Sequence, residues 1–362
     1  MSESENPLCD RSQATKISVA IIGCGKLGTA LLIGFLSCHQ IAAKHKRHSS
    51  TISDSMQEFT TAPVRITHIT VTVRQPDSAT RLMNEIKSAN DTKLQSAPQE
   101  DAAAVTVSVR LCQENAQIIQ ESDIIIIGCK PSTLSSMFGD PEMRAAFLRG
   151  DQNRDHQKRT LVSLVGGVSI ALLKQYLRCG EIKVNDPEIT LGKSHYPVIV
   201  RAIPNLAARQ RESMTIISAP LFATEEEDID RVSSLFGLLG PTMQIPERHF
   251  NIASALASSS VAFYASVIAS SATGATDEGR DAGGPLCREA ALWIAAQAAR
   301  GASCLIMSGE DPEHIVRQVA TKGGSTEVGL RFMTEAGIGR IMSSTVSECG
   351  RATGNLSSWA NN

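Results

Sequence analysis

The chain has 362 residues, more than one compact domain usually needs, so we expect two domains. Its 35 lysines and arginines against 37 aspartates and glutamates leave a net charge of -2, which argues against nucleic-acid binding because a phosphate backbone requires a basic face. Hydrophobic residues make up 42% of the sequence and aromatic residues only 4%, so aliphatic side chains must fill the core.

The N-terminal half of the sequence contains no candidate membrane span or targeting segment. Its longest uninterrupted apolar run, 124–127, is far shorter than the roughly 20 residues that cross a bilayer. Residues 1–16 are polar and lack the apolar core of a signal peptide. We therefore expect a disordered N-terminus, no membrane association and a cytoplasmic location.

The first predicted elements are a strand, a glycine turn and a helix. Residues 17–22 form a β-branched run that stops at Gly23, and apolar positions then recur at helical spacing over 26–37. Residues 39–66 are polar and show no sustained period, so we interpret them as a surface insertion. A second strand is predicted at 69–73.

Further strands and helices alternate through the first two thirds of the chain. A helix is predicted at 78–88 and a second polar insertion at 89–103. The later predicted elements are strands at 105–109, 123–128, 160–164, 198–202 and 215–218, with helices at 116–121 and 169–177. This alternation indicates a doubly wound, mostly parallel sheet up to about residue 245. Beyond it, alanine-rich helices are predicted at 252–271 and 286–307.

The glycine turn after the first strand predicts a dinucleotide site. Residues 23–28 fit the pattern G-x-G-x-x-G between a strand and a helix. In this context the first glycine permits the tight turn, the second admits a pyrophosphate, and the third lets the helix pack on the strand. Free N–H groups and the helix dipole then face the phosphates. The predicted cofactor residues are Gly23, Gly25, Lys26, Leu27 and Gly28.

The end of the second predicted strand indicates which dinucleotide binds. An acidic residue there would accept hydrogen bonds from the ribose of NAD, whereas an arginine would pair with the 2′-phosphate of NADP. Arg74 favours NADPH, and Asp77 nearby leaves NADH open. Lys130, before Pro131, lies at the carboxyl edge of the sheet and either contacts the cofactor or caps the strand.

A second glycine turn lies near the C-terminus. Gly323, Gly324, Ser325 and Thr326 precede an apolar-periodic segment at 328–333. They predict a helix N-terminus whose exposed N–H groups suit a small carboxylate as well as a phosphate. The alternative is an ordinary capped loop, with Ser325 or Thr326 as N-cap and Glu327 in the first turn.

With these motifs in order, the sequence resembles the pyrroline-5-carboxylate reductase family from about residue 17 to 356. Residues 201–205 match its Arg-x-Met-Pro-Asn segment, and Glu114-Asn115 and Lys130-Pro131 match its cofactor-side motifs. The most specific match is the helical-domain signature, at Gln297, Gly301, Met307, Ser308, Gly309, Pro312, Val319 and residues 323–326.

The resemblance implies an α/β Rossmann domain followed by an all-α C-terminal dimerisation domain, which we place at 17–245 and 246–362. A homodimer or higher homo-oligomer is therefore expected. The implied reaction is hydride transfer from NAD(P)H to 1-pyrroline-5-carboxylate, a cyclic imine carboxylate, giving L-proline in the last step of proline biosynthesis. The reaction needs orientation and an anion site more than a strong base.

The resemblance also assigns residues to roles. Asn115 joins Arg74, Lys130, Pro131 and the glycine turn among the cofactor residues. Gly323 to Thr326 fall on the loop that holds the substrate carboxylate. Thr326 falls on the hydroxyl proposed as proton donor, and Ser259 is the second catalytic candidate.

The chain departs from the family pattern at 257–263. It reads Ala-Ser-Ser-Ser-Val-Ala-Phe where the family has Ser-Gly-Ser-Gly-Pro-Ala-Tyr, so only Ser259 and Ala262 match. Two serines add bulk in place of glycines, and Val261 replaces a helix-starting proline. The other departures are Asn251 for aspartate, Lys322 for proline and Gly166-Gly167 for Ala-Gly.

Two other functions stay open at this point: a reductase of a different cyclic imine in specialised metabolism, and a catalytically silent NADP-binding paralogue. The eight histidines show no metal-ligand pairing at i, i+4 and no cysteine partners, so we predict no metal site. The nine cysteines include no C-x-x-C pair and are expected to be reduced. The acidic run 225–228 is interpreted as a solvated helix start.

Overall fold

The computed structural model describes residues 14–38, 46–51, 54–60, 63–93, 105–148, 159–178, 197–277 and 286–356. The chain divides into two compact units, which we call the α/β unit and the helical unit. The α/β unit comprises Met1–Ser258 with Gly350–Asn362, and the helical unit comprises Ser259–Cys349. Most of the predicted disordered N-terminus, 1–13 of 1–16, lies outside the described residues.

A ten-stranded sheet forms the centre of the α/β unit. Its strands are β1 (Thr15–Ile22), β2 (Lys46–Thr51), β3 (Asp54–Thr60), β4 (Val64–Val73), β5 (Thr106–Leu111), β6 (Ile124–Ile127), β7 (Thr160–Ser163), β8 (Val198–Ile203), β9 (Thr215–Ser218) and β10 (Thr242–Ile245). Their spatial order is β3-β2-β10-β9-β8-β7-β6-β1-β4-β5. All neighbours are parallel except β2–β3 and β8–β9, so the mostly parallel sheet is confirmed.

Thirteen helices surround the strands or build the helical unit in the described residues. They are α1 (Lys26–Leu36), α2 (Pro76–Lys93), α3 (Asn115–Glu121), α4 (Pro131–Gly139), α5 (Pro141–Leu148), α6 (Ile170–Arg178), α7 (Glu226–Gly237), α8 (Phe250–Ser254), α9 (Ser260–Asp277), α10 (Arg288–Met307), α11 (Pro312–Val319), α12 (Ser325–Glu335) and α13 (Ile338–Asn355). A π-helical turn, Ala255–Ser259, joins α8 to α9.

The central strands of the sheet are buried on both faces, which explains their aliphatic composition. All four isoleucines of β6 are completely buried, as expected for a central parallel strand covered by helices on each side. Alternate residues of β1 enter different apolar clusters, with Val19 and Ile21 in one and Ala20 and Ile22 in the other. The helices wound on both faces therefore hold the sheet between two cores.

The structure corrects the interpretation of both polar insertions. Segment 39–66 contains β2 and β3, which pair antiparallel, and β2 also pairs in parallel with β10. The segment thus extends the sheet, and its last residues begin β4. Helix α2 continues to Lys93, so the start of the predicted 89–103 insertion is helical. The remaining parts of the two insertions, 39–45, 52–53, 61–62 and 94–103, lie outside the described residues.

Before residue 246, one further strand and two further helices were not predicted: β10, α4 and α5. Pro131 and Pro141 stand at the first positions of α4 and α5, a signal of helix starts that the sequence analysis did not use. The acidic run does open α7, but solvation is wrong for Asp228. That carboxylate is buried, pairs with Arg231 at 2.5 Å and accepts a hydrogen bond from Thr160 at 2.9 Å.

Two segments near the C-terminus are long and apolar enough to cross a membrane by length and composition, Glu247–Thr276 and Arg288–Met307. Core helices of proteins that never enter a bilayer meet the same criterion, so this is weak evidence. The run 124–127 is the longest apolar run only in the first half of the sequence, and both of these segments lie in the second half. Both belong to the alanine-rich part of the chain that was predicted to be helical.

Candidate active site

The glycine turn after β1 has the conformation that its first glycine permits. Gly23 has a φ of +82°, in the left-handed region, and a Cβ there would lie 3.4 Å from the backbone nitrogen of Cys129. Thr72, at the end of β4, accepts a hydrogen bond from the Cys24 N–H at 2.8 Å through its carbonyl. Backbone bonds thus tie the turn to the neighbouring strand.

The other two glycines shape the start of α1. Gly25 is the N-cap, without a side-chain cap, and a Cβ there would have open space within 4 Å. A Cβ on Gly28 would lie 3.2 Å from the Cys24 sulfur, so a larger residue here would have to displace that side chain. No acidic side chain stands in the first turn. The N–H groups of Lys26 and Leu27 lack intrahelical acceptors, and the positive end of the helix dipole is free for a phosphate.

The turn lies where the order of the sheet reverses. β1 pairs with β4 on one side and with β6 on the other. The chain runs from β1 to β4 and later returns to β6, so the carboxyl ends of β1 and β6 border a crevice of the kind in which doubly wound sheets bind ligands.

Arg74 and Lys130 reach this crevice from the two neighbouring strands. Arg74 follows β4, is exposed, and its guanidinium lies 3.5 Å from the hydroxyl of Thr133 in α4. Lys130 is the N-cap of α4 with an exposed side chain and no side-chain cap bond, and Pro131 is the first helical residue. Both cations therefore stand beside the predicted phosphate site.

Asn115 opens α3 just after β5, the strand next to β4. Its side-chain Oδ1 is buried and has no hydrogen-bond partner among the described residues. Buried polar atoms are nearly always satisfied, so this acceptor marks a place for an external donor such as a ribose hydroxyl. The structure thus brings all predicted cofactor residues to the carboxyl ends of four adjacent strands, β6, β1, β4 and β5.

Two cysteines line the same crevice without acting as nucleophiles. Burial raises the pKa of the Cys24 thiol to about 11, although a weak hydrogen bond with Thr29 opposes the shift. Burial also raises the pKa of Cys129 to about 11, opposed by a backbone hydrogen bond and by the charge of Arg74. Both thiols are protonated at neutral pH, and only a thiolate is reactive.

A buried arginine organises the neighbouring edge of the sheet. Arg201 lies opposite Ser163, the last residue of β7, and its side chain is 3% exposed. Its guanidinium pairs with Glu247 at 2.9 Å and donates to Asn251 Oδ1 at 3.2 Å. Burial lowers the pKa of Arg201, and the Glu247 carboxylate opposes the shift. The sequence analysis did not single out Glu247.

The loop after β7 contains the Gly166-Gly167 departure. Gly167 has a φ of +76°, and a Cβ there would lie 2.3 Å from the carbonyl oxygen of Thr353 near the end of α13. Glu247 Oε1 also accepts the N–H of Ile170, where α6 begins. Close packing and this hydrogen bond therefore hold the loop at the carboxyl edge of the sheet, beside β6.

The second glycine turn, in the helical unit, is a helix N-terminus as predicted. Gly324 is the N-cap of α12, so the alternative with Ser325 or Thr326 as N-cap is wrong, whereas Glu327 does stand in the first turn. Gly323 has a φ of +74° and donates its N–H to Glu327 Oε2 at 2.6 Å. A Cβ on Gly324 would lie 2.6 Å from the Thr321 hydroxyl. The chain itself thus constrains both glycines.

The two hydroxyl residues remain available to a ligand. Ser325 and Thr326 are exposed and occupy the first positions of α12, where backbone N–H groups have no intrahelical acceptor. Lys322 beside them is exposed. Residues 322–326 thus place two hydroxyls, free backbone N–H groups and one cation at the start of α12.

Ser259 closes the π turn and is half-buried. With Val261 in place of proline, helix α9 follows the turn directly, and Ser260 rather than residue 261 is its first residue. Ser259 and residues 323–326 belong to the helical unit, and the cofactor residues belong to the α/β unit. Among the described residues, no group of three or more His, Cys, Asp or Glu side chains is arranged to hold a metal ion.

Comparison with known proteins gives consistent results for both parts of the chain. Residues 247–356 match the family model described as pyrroline-5-carboxylate reductase dimerisation, and residues 18–145 match the model described as NADP oxidoreductase coenzyme F420-dependent. A pyrroline-5-carboxylate reductase of Penicillium fellutanum is 32% identical over 94% of this chain and 91% of its own length. One of Neurospora crassa is 27% identical over 92% of this chain and 91% of its own length.

Solved structures show the same fold. The NADP-bound pyrroline carboxylate reductase of Plasmodium falciparum superposes with a TM-score of 0.62 at 16% identity, covering 94% of this chain and 98% of that one. The 1-pyrroline-5-carboxylate reductase of Streptococcus pyogenes gives a TM-score of 0.62 at 18% identity, covering 94% and 99%. These likenesses support the Rossmann domain followed by a helical domain.

Proposed function

The chain belongs to the pyrroline-5-carboxylate reductase family, and from that premise we propose that it reduces 1-pyrroline-5-carboxylate to L-proline with NADPH. The observation that carries the proposal is the uncapped N-terminus of α1, which opens on the crevice between β1 and β6 beside Arg74. This arrangement suits the pyrophosphate and the 2′-phosphate of one dinucleotide. The enzyme is thus an oxidoreductase that acts on a C–N bond.

The residues of the crevice fit NADPH in charge and in hydrogen-bonding character. The N–H groups of Lys26 and Leu27 bind the pyrophosphate, Arg74 pairs with the 2′-phosphate, and Asn115 accepts from a ribose hydroxyl. Lys130 adds a second cation at the same edge. When bound, the dinucleotide supplies the hydride that reduces the imine carbon.

The glycine turn before α12 supplies the substrate side of the proposal. The N–H groups of Ser325 and Thr326 bind the substrate carboxylate, with the α12 dipole adding favourable charge. The Thr326 hydroxyl donates a hydrogen bond to the nitrogen of the neutral imine, or passes it a proton and regains one from solvent water, and Ser259 orients the ring. A protonated imine is already the better hydride acceptor, so these groups mainly orient the substrate.

The match to a dimerisation family and the exposed apolar side chains of the helical unit support self-association. We propose a homodimer, or a higher homo-oligomer built from it, working in the cytoplasm.

The test is the oxidation of NADPH, and separately of NADH, by the purified protein with 1-pyrroline-5-carboxylate, with the product identified by mass. We expect rapid formation of proline and a preference for NADPH. Arg74→Ala should raise the KM for NADPH about tenfold or more, the scale of a lost charge-assisted contact, and leave the KM for NADH nearly unchanged.

Arg65→Ala is the matched control, because Arg65 lies near the start of β4, at the opposite edge of the sheet from Arg74. An equal rise of both KM values in Arg74→Ala would refute the 2′-phosphate assignment. Absence of proline formation with retained NADPH binding would refute the substrate assignment. Turnover of another cyclic imine in its place would favour the alternative function, a reductase of a different imine, and would direct attention to the 257–261 departure as the cause of the changed specificity.

A further inference from the structure

A π turn, Ala255–Ser259, overlaps the start of the segment 257–263 in which the chain departs from the family pattern. A π turn widens the helix and shifts its hydrogen bonds to i→i+5, so that a carbonyl in the turn loses its regular amide partner. Such a turn persists when its surroundings supply another partner. Here the partner comes from a residue 52 positions earlier in the chain.

Asn205 supplies that partner. Its side-chain Nδ2 donates a hydrogen bond to the carbonyl oxygen of Ala257, in the middle of the π turn, at 3.0 Å. Both residues belong to the α/β unit.

The Asn205 side chain is held in place from both ends. Its Oδ1 accepts the N–H of Ala207 at 2.9 Å, as the N-cap of the short helical turn Leu206–Gln210. Its own N–H donates to the hydroxyl of Ser213 at 3.0 Å, and the residue is only 5% exposed. The side-chain amide of Asn205 is therefore preorganised. Because its Oδ1 faces the N–H of Ala207, its Nδ2 is directed at the carbonyl of Ala257.

Asn205 follows β8, so it also lies at the carboxyl edge of the sheet. The turn that it contacts contains Ser258 and ends at Ser259, and both serines are half-buried. The hydroxyl groups of Ser258 and Ser259 have no hydrogen-bond partner among the described residues. These side chains are consequently free to bind a substrate, and their direction depends on the shape of the turn.

We propose that Asn205 is a positioning residue: its hydrogen bond to Ala257 holds the π turn in the form that directs Ser258 and Ser259 to the substrate. The proposal rests on the proposed imine reduction. Loss of this hydrogen bond lets the turn relax toward a regular α-helix, which rotates the serine hydroxyls away. Misplacement of about 1 Å at a reacting centre lowers rates on the order of 100-fold.

Two variants isolate the donor. Asn205→Asp keeps the N-cap function and removes the donor, because aspartate is an equally good N-cap but cannot donate to a carbonyl. Asn205→Ser also remains an N-cap, lacks the charge and is too short to reach Ala257. Asp140→Asn is the control. Asp140 precedes α5 and accepts the N–H of Glu142 through its side chain, and this substitution also interconverts aspartate and asparagine.

Hydrogen exchange of the peptide covering 255–263 is measured first, because it does not require activity. We expect faster exchange in both Asn205 variants and no change in Asp140→Asn. We also expect kcat for imine reduction to fall about 10- to 100-fold with the NADPH Kd unchanged. In combination with Ser259→Ala the losses should be less than additive, because the Ser259 hydroxyl is affected by both changes.

Unchanged hydrogen exchange of 255–263 in Asn205→Ser would show that Asn205 does not hold the π turn. Faster hydrogen exchange with unchanged kcat would contradict the positioning role. Fully additive losses with Ser259→Ala would overturn it as well. Wild-type protein that binds NADPH but reduces no imine would contradict the proposed function instead, and in that case the exchange measurement still decides whether Asn205 holds the turn.

Discussion

At the scale of single residues, hydrogen bonds that the sequence does not show decide the site chemistry. Glu327 occupies the N–H of Gly323 at 2.6 Å, so one amide of the second glycine turn serves the chain itself. The amides and hydroxyls of Ser325 and Thr326 are left for a ligand. Of these, Thr326 is the group proposed to act on the imine nitrogen.

The Thr326 role gives the first prediction at this scale. Thr326→Ala should lower kcat/KM for 1-pyrroline-5-carboxylate about 10- to 1000-fold, the range of a lost positioned hydrogen bond or proton donor. Thr326→Ser keeps a hydroxyl and should recover most of the loss. Steady-state kinetics at saturating NADPH measure the effect.

Thr334→Ala is the matched control on the same helix, because its hydroxyl only donates to the Leu330 carbonyl. A value of kcat/KM in Thr326→Ala equal to that of this control would remove Thr326 from the mechanism.

At the scale of elements, close approach explains how α1 sits on its neighbours. A Cβ on Gly34 would lie 2.3 Å from the carbonyl oxygen of Ala208 and 2.6 Å from a methyl group of Leu239. The helix that carries the phosphate site at its N-terminus is thus seated by a glycine near its C-terminus. Asn205 is the N-cap of the helical turn Leu206–Gln210, which contains Ala208. This short turn therefore contacts α1 through Ala208, and its N-cap contacts the π turn.

The second prediction follows from this contact. Gly34→Ala should destabilise the protein by about 1–3 kcal/mol, because overpacking against backbone outweighs the gain of up to about 1 kcal/mol in helix propensity. Gly139→Ala on exposed α4 has open space around its Cβ and should leave stability unchanged or slightly raised. Urea unfolding followed by circular dichroism compares the two, and equal midpoints would contradict the packing argument.

At the scale of the whole molecule, the two units differ in what they bury. The α/β unit encloses its aliphatic residues, whereas the helical unit exposes large apolar side chains, among them Trp293, Met307 and Phe332. Apolar surface of this kind on a chain that matches a dimerisation family is best explained by contact with another copy. The two candidate membrane segments overlap the same matched region, 247–356.

The third prediction concerns this surface. Phe332, which is 73% exposed in the single chain, should be buried by association, so Phe332→Asp should raise the dissociation constant of the oligomer about 30-fold or more. Phe222→Asp is the control, because Phe222 is 62% exposed but belongs to the α/β unit. Sedimentation velocity over a concentration series separates the outcomes, and equal shifts in both variants would contradict the interface.

Local patterns were sufficient for part of this description. The strand at β1, the glycine turn at 23–28 and the start of α1 follow from neighbouring residues, because backbone sterics and the apolar period act over a few positions. The same holds for the helix start at Gly324. The roles given to Arg74, Asn115, Ser259 and Thr326 stay predictions until the variants are measured.

The tertiary structure decided what depends on distant parts of the chain. The sequences of β2 and β3 are mostly polar and show no apolar alternation, and the pairing of β3 with β2 and of β2 with β10 exists only in the folded sheet. The sequence predicts that Asp228 is a solvated acid, but in the folded chain it pairs with Arg231 and accepts a hydrogen bond from Thr160. The contact of Asn205 with Ala257 joins residues 52 positions apart. Sequence pattern thus determined most of the central strands and the glycine turn after β1. Burial and pairing between distant residues, which no local period encodes, decided the sheet edge, the buried charges and the support of the π turn.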